Sequence, residues 1–376
     1  MAISSSHYGQ IGKPRVFVNI ISYARAVSYI KEYYSTNVSR PSGVGESNVS
    51  QITTLFNSKP SHPRVWSVQN SGDNILEFNV SFKNYNDSSS ILSNTNKQWS
   101  YLLQGINWYG VFGHTLGDLT NLNSFNLGVY NYIDGSIDYD LTNASSDVEA
   151  IIESDYGFSM YKITSAIGTD NGGRLKFQLD ADSNSFSQNN DFEIASLMAG
   201  RYIDFSVSPD LEVKRKISND GVKRSRTLSG GELYQVNSPG NPMWGSRPAW
   251  SYVENVGAAV NPDDTNPVGV SMTGRRSWDV SFSFIDKQDI FAKSNANSMA
   301  VEDYDASDGS VGAFPTDLSY FYNFTLQGQI PFVFQVDTTD DGADEFAMCV
   351  IKKGTISMKQ EAFGVYSTSM TFEEVW

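Results

Sequence analysis

Apolar and polar residues alternate along much of this chain. Tyr366, Thr368, Met370 and Phe372 occupy every second position, with small polar residues between them. Trp278, Val280, Phe282 and Phe284 do the same upstream. A period of two is the signature of a half-buried β-strand. The first set runs to the end of the chain, which predicts a terminus pinned inside a sheet. Arg15–Ile20, Val65–Val68, Ile75–Phe82 and the stretches 106–112, 125–130, 158–164 and 174–179 also read as strands. Polar, turn-forming spacers separate them. Ala26, Tyr29, Ile30 and Tyr33 recur at helical spacing, but tyrosine and isoleucine also suit a strand, so both readings stand for 23–34. Val148, Ile151 and Ile152 within 144–155 suggest one or two helical turns. The pattern predicts an all-β protein of mainly antiparallel β-sandwiches with one or two short helices. A linker rich in Ser, Asn, Pro and Gly at 35–64 and a polar loop at 180–191 suggest three blocks: 1–64, 65–191 and 192–376.

Composition narrows the function classes. The chain has 376 residues, of which 13% are aromatic and 18% charged, enough to fill more than one core. Its net charge of −15 disfavours nucleic-acid phosphate, and no sequence-specific nucleic-acid binding is expected. The one cysteine, Cys349, excludes an internal disulfide framework, and its apolar neighbours predict a buried thiol. The N-terminal residues lack a secretion signal, and no stretch approaches the roughly 20 apolar residues of a membrane span. A soluble protein made in a cytoplasm is expected.

Three local features have a charge or turn pattern of their own. Leu211–Leu228 holds six bases and two acids. Asn219-Asp220-Gly221 at its centre predicts a projecting hairpin with basic arms. Lys214, Arg215, Lys216, Lys223, Arg224 and Arg226 could hold phosphate, face only water, or reach an acidic patch on another subunit. The stretch 337–345 supplies such a patch, with Asp337, Asp340, Asp341, Asp344 and Glu345 and no base. Contact between two unlike patches can close a ring. Five prolines in 237–272 predict an extended arm.

Candidates for chemistry are sparse. His7, His62 and His114 show no metal spacing, so no metal or cofactor is expected. No Gly-x-Ser-x-Gly elbow accompanies a histidine, and no catalytic residue is assigned. His114, after Gly113, reads as the end of a strand at a tight turn, bonded to nearby backbone. Asp180, Asp182 and Asn184 start like a calcium loop, but Ser185 stands where the turn needs glycine and Asp191 where glutamate is needed. Trp66, Trp99 and Trp108 are either core residues or sugar-stacking platforms, with Trp66 and Trp108 the candidate glycan contacts.

Several stretches are similar to virion proteins of tailed bacteriophages. They are Ser196–Leu211, Pro242-Met243-Trp244-Gly245, Gly274–Trp278, Leu326–Gln335 and the closing Phe372-Glu373-Glu374-Val375. Together they resemble the ring-forming domain of tail-tube and distal tail proteins of long-tailed phages. Asn107–His114 resembles a turn of jelly-roll modules in phage tail proteins, with Thr115 where asparagine is usual. The resemblance implies a jelly-roll-like sandwich at 65–191 and a tail-tube-like domain at 192–376. It also implies a hexameric ring in the virion tail, assembled in the host cytoplasm beside other tail or tip proteins. The expected function is a distal-tail or tail-tip ring subunit without enzymatic activity. The alternatives are an adhesion subunit that binds host surface glycans or a fibre-anchor subunit of the tail and, behind them, a carbohydrate-active enzyme.

Overall fold

The computed structural model describes residues 12–27, 30–34, 38–39, 55–60, 63–69, 74–82, 106–131, 137–140, 148–155, 157–164, 172–181, 184–205, 208–210, 213–218, 222–236, 275–287, 317–339, 342 and 345–375. The Pro-rich stretch 237–272, Trp99, Asp182, Asp340, Asp341 and Asp344 lie outside them. The fold is all-β. In chain order the strands are β1 (Arg15–Asn19), β2 (Ile30–Tyr34), β3 (Val38–Ser39), β4 (Arg64–Val68), β5 (Ile75–Phe82), β6 (Trp108–His114) and β7 (Ser124–Asn131). Then come β8 (Ile137–Asp140), β9 (Val148–Ile152), β10 (Gly157–Ile163), β11 (Gly172–Asp180), β12 (Asp191–Ile194), β13 (Ser196–Asp204) and β14 (Lys214–Ser218). The last are β15 (Val222–Arg226), β16 (Glu232–Val236), β17 (Arg275–Asp286), β18 (Phe332–Gln335), β19 (Phe346–Ile351), β20 (Ser357–Ala362) and β21 (Val365–Glu374). Two short α-helices, α1 (Ile20–Val27) and α2 (Asp317–Phe324), accompany them.

The chain forms two compact units. The first takes the described residues of Met1–Val18, Tyr202–Pro248 and Ser271–Val375, and the second those of Asn19–Arg201. This division differs from the consecutive blocks read from the sequence, for a pairing reason. β1 pairs with β18, Arg15 opposite Gln335, which ties the start of the chain to its last third. β12 pairs with β4, and β13 pairs with β6 through Ser196–Gly200, which keeps these strands with the second unit.

In the first unit the antiparallel order is β14-β17-β21-β19-β18-β1, with β20 also on β21. Arg276, Trp278, Val280 and Phe282 of β17 point inward, as do Thr368, Met370, Phe372 and Glu374 of β21. Their rings meet a cluster in which Trp278 lies 5.5 Å from Phe334, Phe334 4.7 Å from Phe372, and Phe321 of α2 4.8 Å from Phe332. Such edge contacts add to the burial of each ring. Gly328 closes the turn after α2 at φ +76°, and a Cβ there would fall 2.2 Å from Ile351.

The second unit is a sandwich. Its sheets are β13-β6-β10-β9, β2-β5-β11-β7-β8 and β12-β4-β3. Tyr109 of β6 and Tyr161 of β10 stack at 5.1 Å, and Tyr109 meets Phe125 of β7 at 5.5 Å, so the first two sheets share one core. Trp66 of β4 meets Phe78 of β5 edge-on at 5.1 Å.

Two helical readings change. The helix starts at Ile20, where Ile20, Ile21 and Ala24 form its buried stripe and the Asn19 side chain accepts from the Ile21 amide at 3.1 Å. Residues 30–34 then form a strand on β5. Val148–Ile152 is strand β9, because the edge of β10 takes its backbone: Ile163 pairs with Val148 and Met160 with Ile152.

Candidate interaction surface

The two described arms of the basic segment 211–228 do not pair with each other. Its first arm, β14, pairs with β17, Lys214 opposite Asp279 and Ser218 opposite Arg275. Its second arm, β15, pairs with β16, Val222 opposite Val236 and Arg226 opposite Glu232. The hairpin therefore spans Val222–Val236, with its turn at 227–231. There the Thr227 amide donates to the Gly231 carbonyl at 2.8 Å, and Gly230 sits at φ +87°, which suits glycine. Ser229-Gly230-Gly231 is the turn signal at the tip of this hairpin, and Asn219-Asp220-Gly221 lies outside the described residues. All described side chains of β15 and β16 are exposed on both faces of the ribbon. Leu228, at the turn, is fully exposed, and Leu233 and Tyr234 are 59% and 61% exposed.

Several of the cations expected to reach a neighbour have partners in their own chain. Lys216 bonds Asp279 at 2.6 Å, and this bond, with a second from Thr371, holds the Asp279 carboxyl below its ordinary range. The Arg215 guanidinium lies 5.9 Å from the Trp278 ring. Arg224 pairs with Glu232, whose carboxyl is lowered first by its bond from Tyr234 and then by Arg224. Arg226 is exposed on the ribbon. Lys223 lies on β15, opposite Gln235. Of the acidic stretch, Asp337 accepts from the Thr339 amide at 2.8 Å, a local turn, and Glu345 donates its amide to the Gly342 carbonyl at 2.9 Å. The structure brings no lysine or arginine of 214–226 onto Asp337 or Glu345 among the described hydrogen bonds and salt bridges.

Sequence reading missed a second exposed apolar set. Phe284 is 80% exposed, because a bulge between Phe282 and Ile285 turns it away from the interior face it was expected to share. Phe363, at the two-residue turn between β20 and β21, is fully exposed. The break of alternation at Phe284-Ile285, two apolar residues in succession, is the signal that marks the bulge.

The remaining candidates are structural. Trp66 and Trp108 are both buried, which corrects their assignment as glycan contacts: no face is open for a sugar to stack on. His114 is buried at the end of β6, as a strand followed by a turn. The Leu116 amide donates to its Nδ1 at 3.3 Å, so Nε2 carries the proton and faces Ser159 Oγ at 3.2 Å. Burial lowers its pKa to about 3. Gly113 precedes it at φ +61°, where a Cβ would strike the Pro60 carbonyl at 2.3 Å. Burial likewise raises the Cys349 thiol, with Glu374 adding to the effect. Asp191, which stands where a calcium loop would need glutamate, accepts from Ser67. Among the described residues no group of three or more His, Cys, Asp or Glu side chains is placed to hold a metal ion. No helix among them is long and apolar enough to cross a membrane. Compared with protein-family models, curated proteins and solved structures, the chain finds no match.

Proposed function

We propose that this chain is a structural subunit of a tailed-phage virion, a distal-tail or tail-tip ring protein that works by contact between its own copies. The observation that supports the assembly reading is the β15–β16 ribbon. A two-stranded hairpin is marginal in water by itself. This one exposes both faces and carries Leu228, Leu233 and Tyr234 into solvent, an arrangement suited to burial against a partner. With Lys216 and Arg224 engaged in their own chain, the apolar tip and Arg226 carry the contact. The virion reading rests on the resemblance of Ser196–Leu211, Gly274–Trp278 and Leu326–Gln335 to ring-forming tail proteins. A net charge of −15 suits a ring through which DNA passes without sticking. The reading includes a hexameric ring, neighbouring tail or tip proteins as partners, no catalytic residue and no cofactor. The alternative of a glycan-binding adhesion subunit loses the two tryptophan rings on which it stood.

Negative-stain images of the purified chain test this directly. Closed rings or stacks are expected, and a monodisperse monomer at high concentration would contradict the proposal.

A further inference from the structure

Phe284 stands where folding alone would not put it. Its φ of +61° is in the left-handed region, which a bulky side chain enters only at a cost. Phe282 pairs with Thr368 and Ile285 with Tyr366, so Ser283 and Phe284 together face Ser367. The bulge gives Ile285 the interior position, 1% exposed, and leaves the Phe284 ring in water. Glycine would accept this backbone without strain, and a polar residue would accept the solvent. The chain instead maintains an exposed aromatic at a strained position.

Other apolar groups share this end of the sheet. The Lys287 amide donates to the Gly364 carbonyl at 2.8 Å, which joins the end of β17 to the turn that carries Phe363. Met358, 40% exposed, lies on β20, opposite Thr368. All six residues of β20 are exposed, and among the described residues no strand pairs its outer edge.

We propose that this sheet end, built from Phe284, Phe363, Met358 and the free edge of β20, is the acceptor for the β15–β16 ribbon of a second copy. The inference rests on the assembly reading above and names the surface that receives the ribbon. Both apolar sets are exposed within one chain, so neither covers the other there; two copies supply both halves of a contact. Their charges are complementary. Of the described side chains, the ribbon carries Arg224 and Arg226 against Glu232, an excess of one positive charge. The sheet end carries Asp210, bonded to Ser283 at 2.9 Å, with Asp286 and Glu361, against Lys287 and Lys359, an excess of one negative charge. Among the described residues no further strand pairs with the ribbon or with the outer edge of β20, so strand can add to strand. Leu228, Tyr234, Phe284 and Phe363 then act as anchors, while the charges set orientation. Because the two patches differ, each copy passes the contact on, which closes a ring or extends a stack. This acceptor replaces the acidic stretch 337–345 expected from sequence.

Mixing two variants that each carry one added cysteine tests the contact, since the native Cys349 is buried. A Leu228→Cys chain mixed with a Phe363→Cys chain under mild oxidation is expected to give a disulfide-linked heterodimer. A Thr339→Cys chain in place of the second is expected to give background only. A Leu228→Cys to Thr339→Cys product without the Leu228→Cys to Phe363→Cys product overturns the proposal and moves the acceptor to the acidic stretch. Phe284→Gly adds a readout that a structural role would not produce. It is expected to raise the thermal midpoint by removing strain, yet weaken assembly by more than about tenfold. If wild type assembles and both Phe284→Gly and Phe363→Ser assemble equally well, the acceptor is wrong while the assembly reading stands. A wild-type chain that stays monomeric overturns both.

Discussion

The two ends of β17 face the same partner strand and are built in opposite ways. At one end Arg276 and Glu374 form a buried ion pair, their side chains 2% and 3% exposed. The guanidinium gives Nη2 to Glu374 Oε1 at 2.8 Å and Nε to Oε2 at 3.0 Å, and Nη2 also reaches the Phe346 carbonyl at 2.6 Å. The Arg276 amide completes the set on Oε2 at 2.9 Å. At the other end Phe284 is strained and wet. One end buries charge, the other exposes an aromatic ring. A charge is tolerated inside only when every bond is made, and this pair meets that condition. It also penalises any slip of β17 along β21: a two-residue shift would preserve the alternation of faces but leave Arg276 without its carboxylate. The locked end sets register, and the loose end is free to make contact.

The contrast can be broken most forcefully at the locked end. Arg276→Ala leaves a carboxylate buried without its partner and is expected to cost about 3–5 kcal/mol in urea unfolding. Arg276→Met combined with Glu374→Leu removes both charges and should recover most of that loss. If the single variant costs no more than a surface change, the pair does not hold the strand.

Buried polar groups should also tie stability to pH, and His114 gives the next largest effect. Its folded pKa of about 3 lies below the ordinary histidine value near 6.5. Between those values the unfolded chain binds a proton that the folded chain refuses, so stability falls as pH falls through this window. The slope contributed is about 1.4 kcal/mol per pH unit. His114→Gln should remove that share of the slope, measured by urea unfolding at several pH values; an unchanged slope would contradict it.

Smaller effects belong to the exposed end and the outer face. Phe284→Gly is expected to stabilise the fold by about 1 kcal/mol, the reverse of a core truncation. A loss of 3 kcal/mol or more by the same unfolding assay would place the ring in a core after all. Lys216→Ala breaks an ion pair whose lysine is 63% exposed, and should change stability by no more than about 0.5 kcal/mol.

Alternation made β17, β21 and the β6–β10 region legible in the sequence, because a half-buried strand writes its two faces directly into the residue order. The bulge left one mark in the sequence, the apolar pair Phe284-Ile285, and it was overlooked because Phe284 continues the apolar series by identity while its backbone leaves it. Val148, Ile151 and Ile152 fit a helix by spacing alone; the open edge of β10 decided for a strand, and that edge is visible only in three dimensions. Two turn signals lie close together, Asn219-Asp220-Gly221 and Ser229-Gly230-Gly231, and the hairpin was read at the first; the described strands pair across the second, β15 with β16, while β14 pairs with β17. Arg276 and Glu374 are 98 residues apart in sequence, so nothing local marks them as partners. The apolar ribbon tip escaped notice because Leu228 looked like the end of an arm.

The central claim is that copies of this chain meet through the exposed ribbon, and sedimentation of the purified protein against a Leu228→Ser, Tyr234→Ser variant measures it. Both substitutions fall on side chains in solvent, so folding should be retained by circular dichroism. The account predicts a closed oligomer for the native chain and a folded monomer for the variant at equal concentration. Identical sedimentation of the two would contradict it.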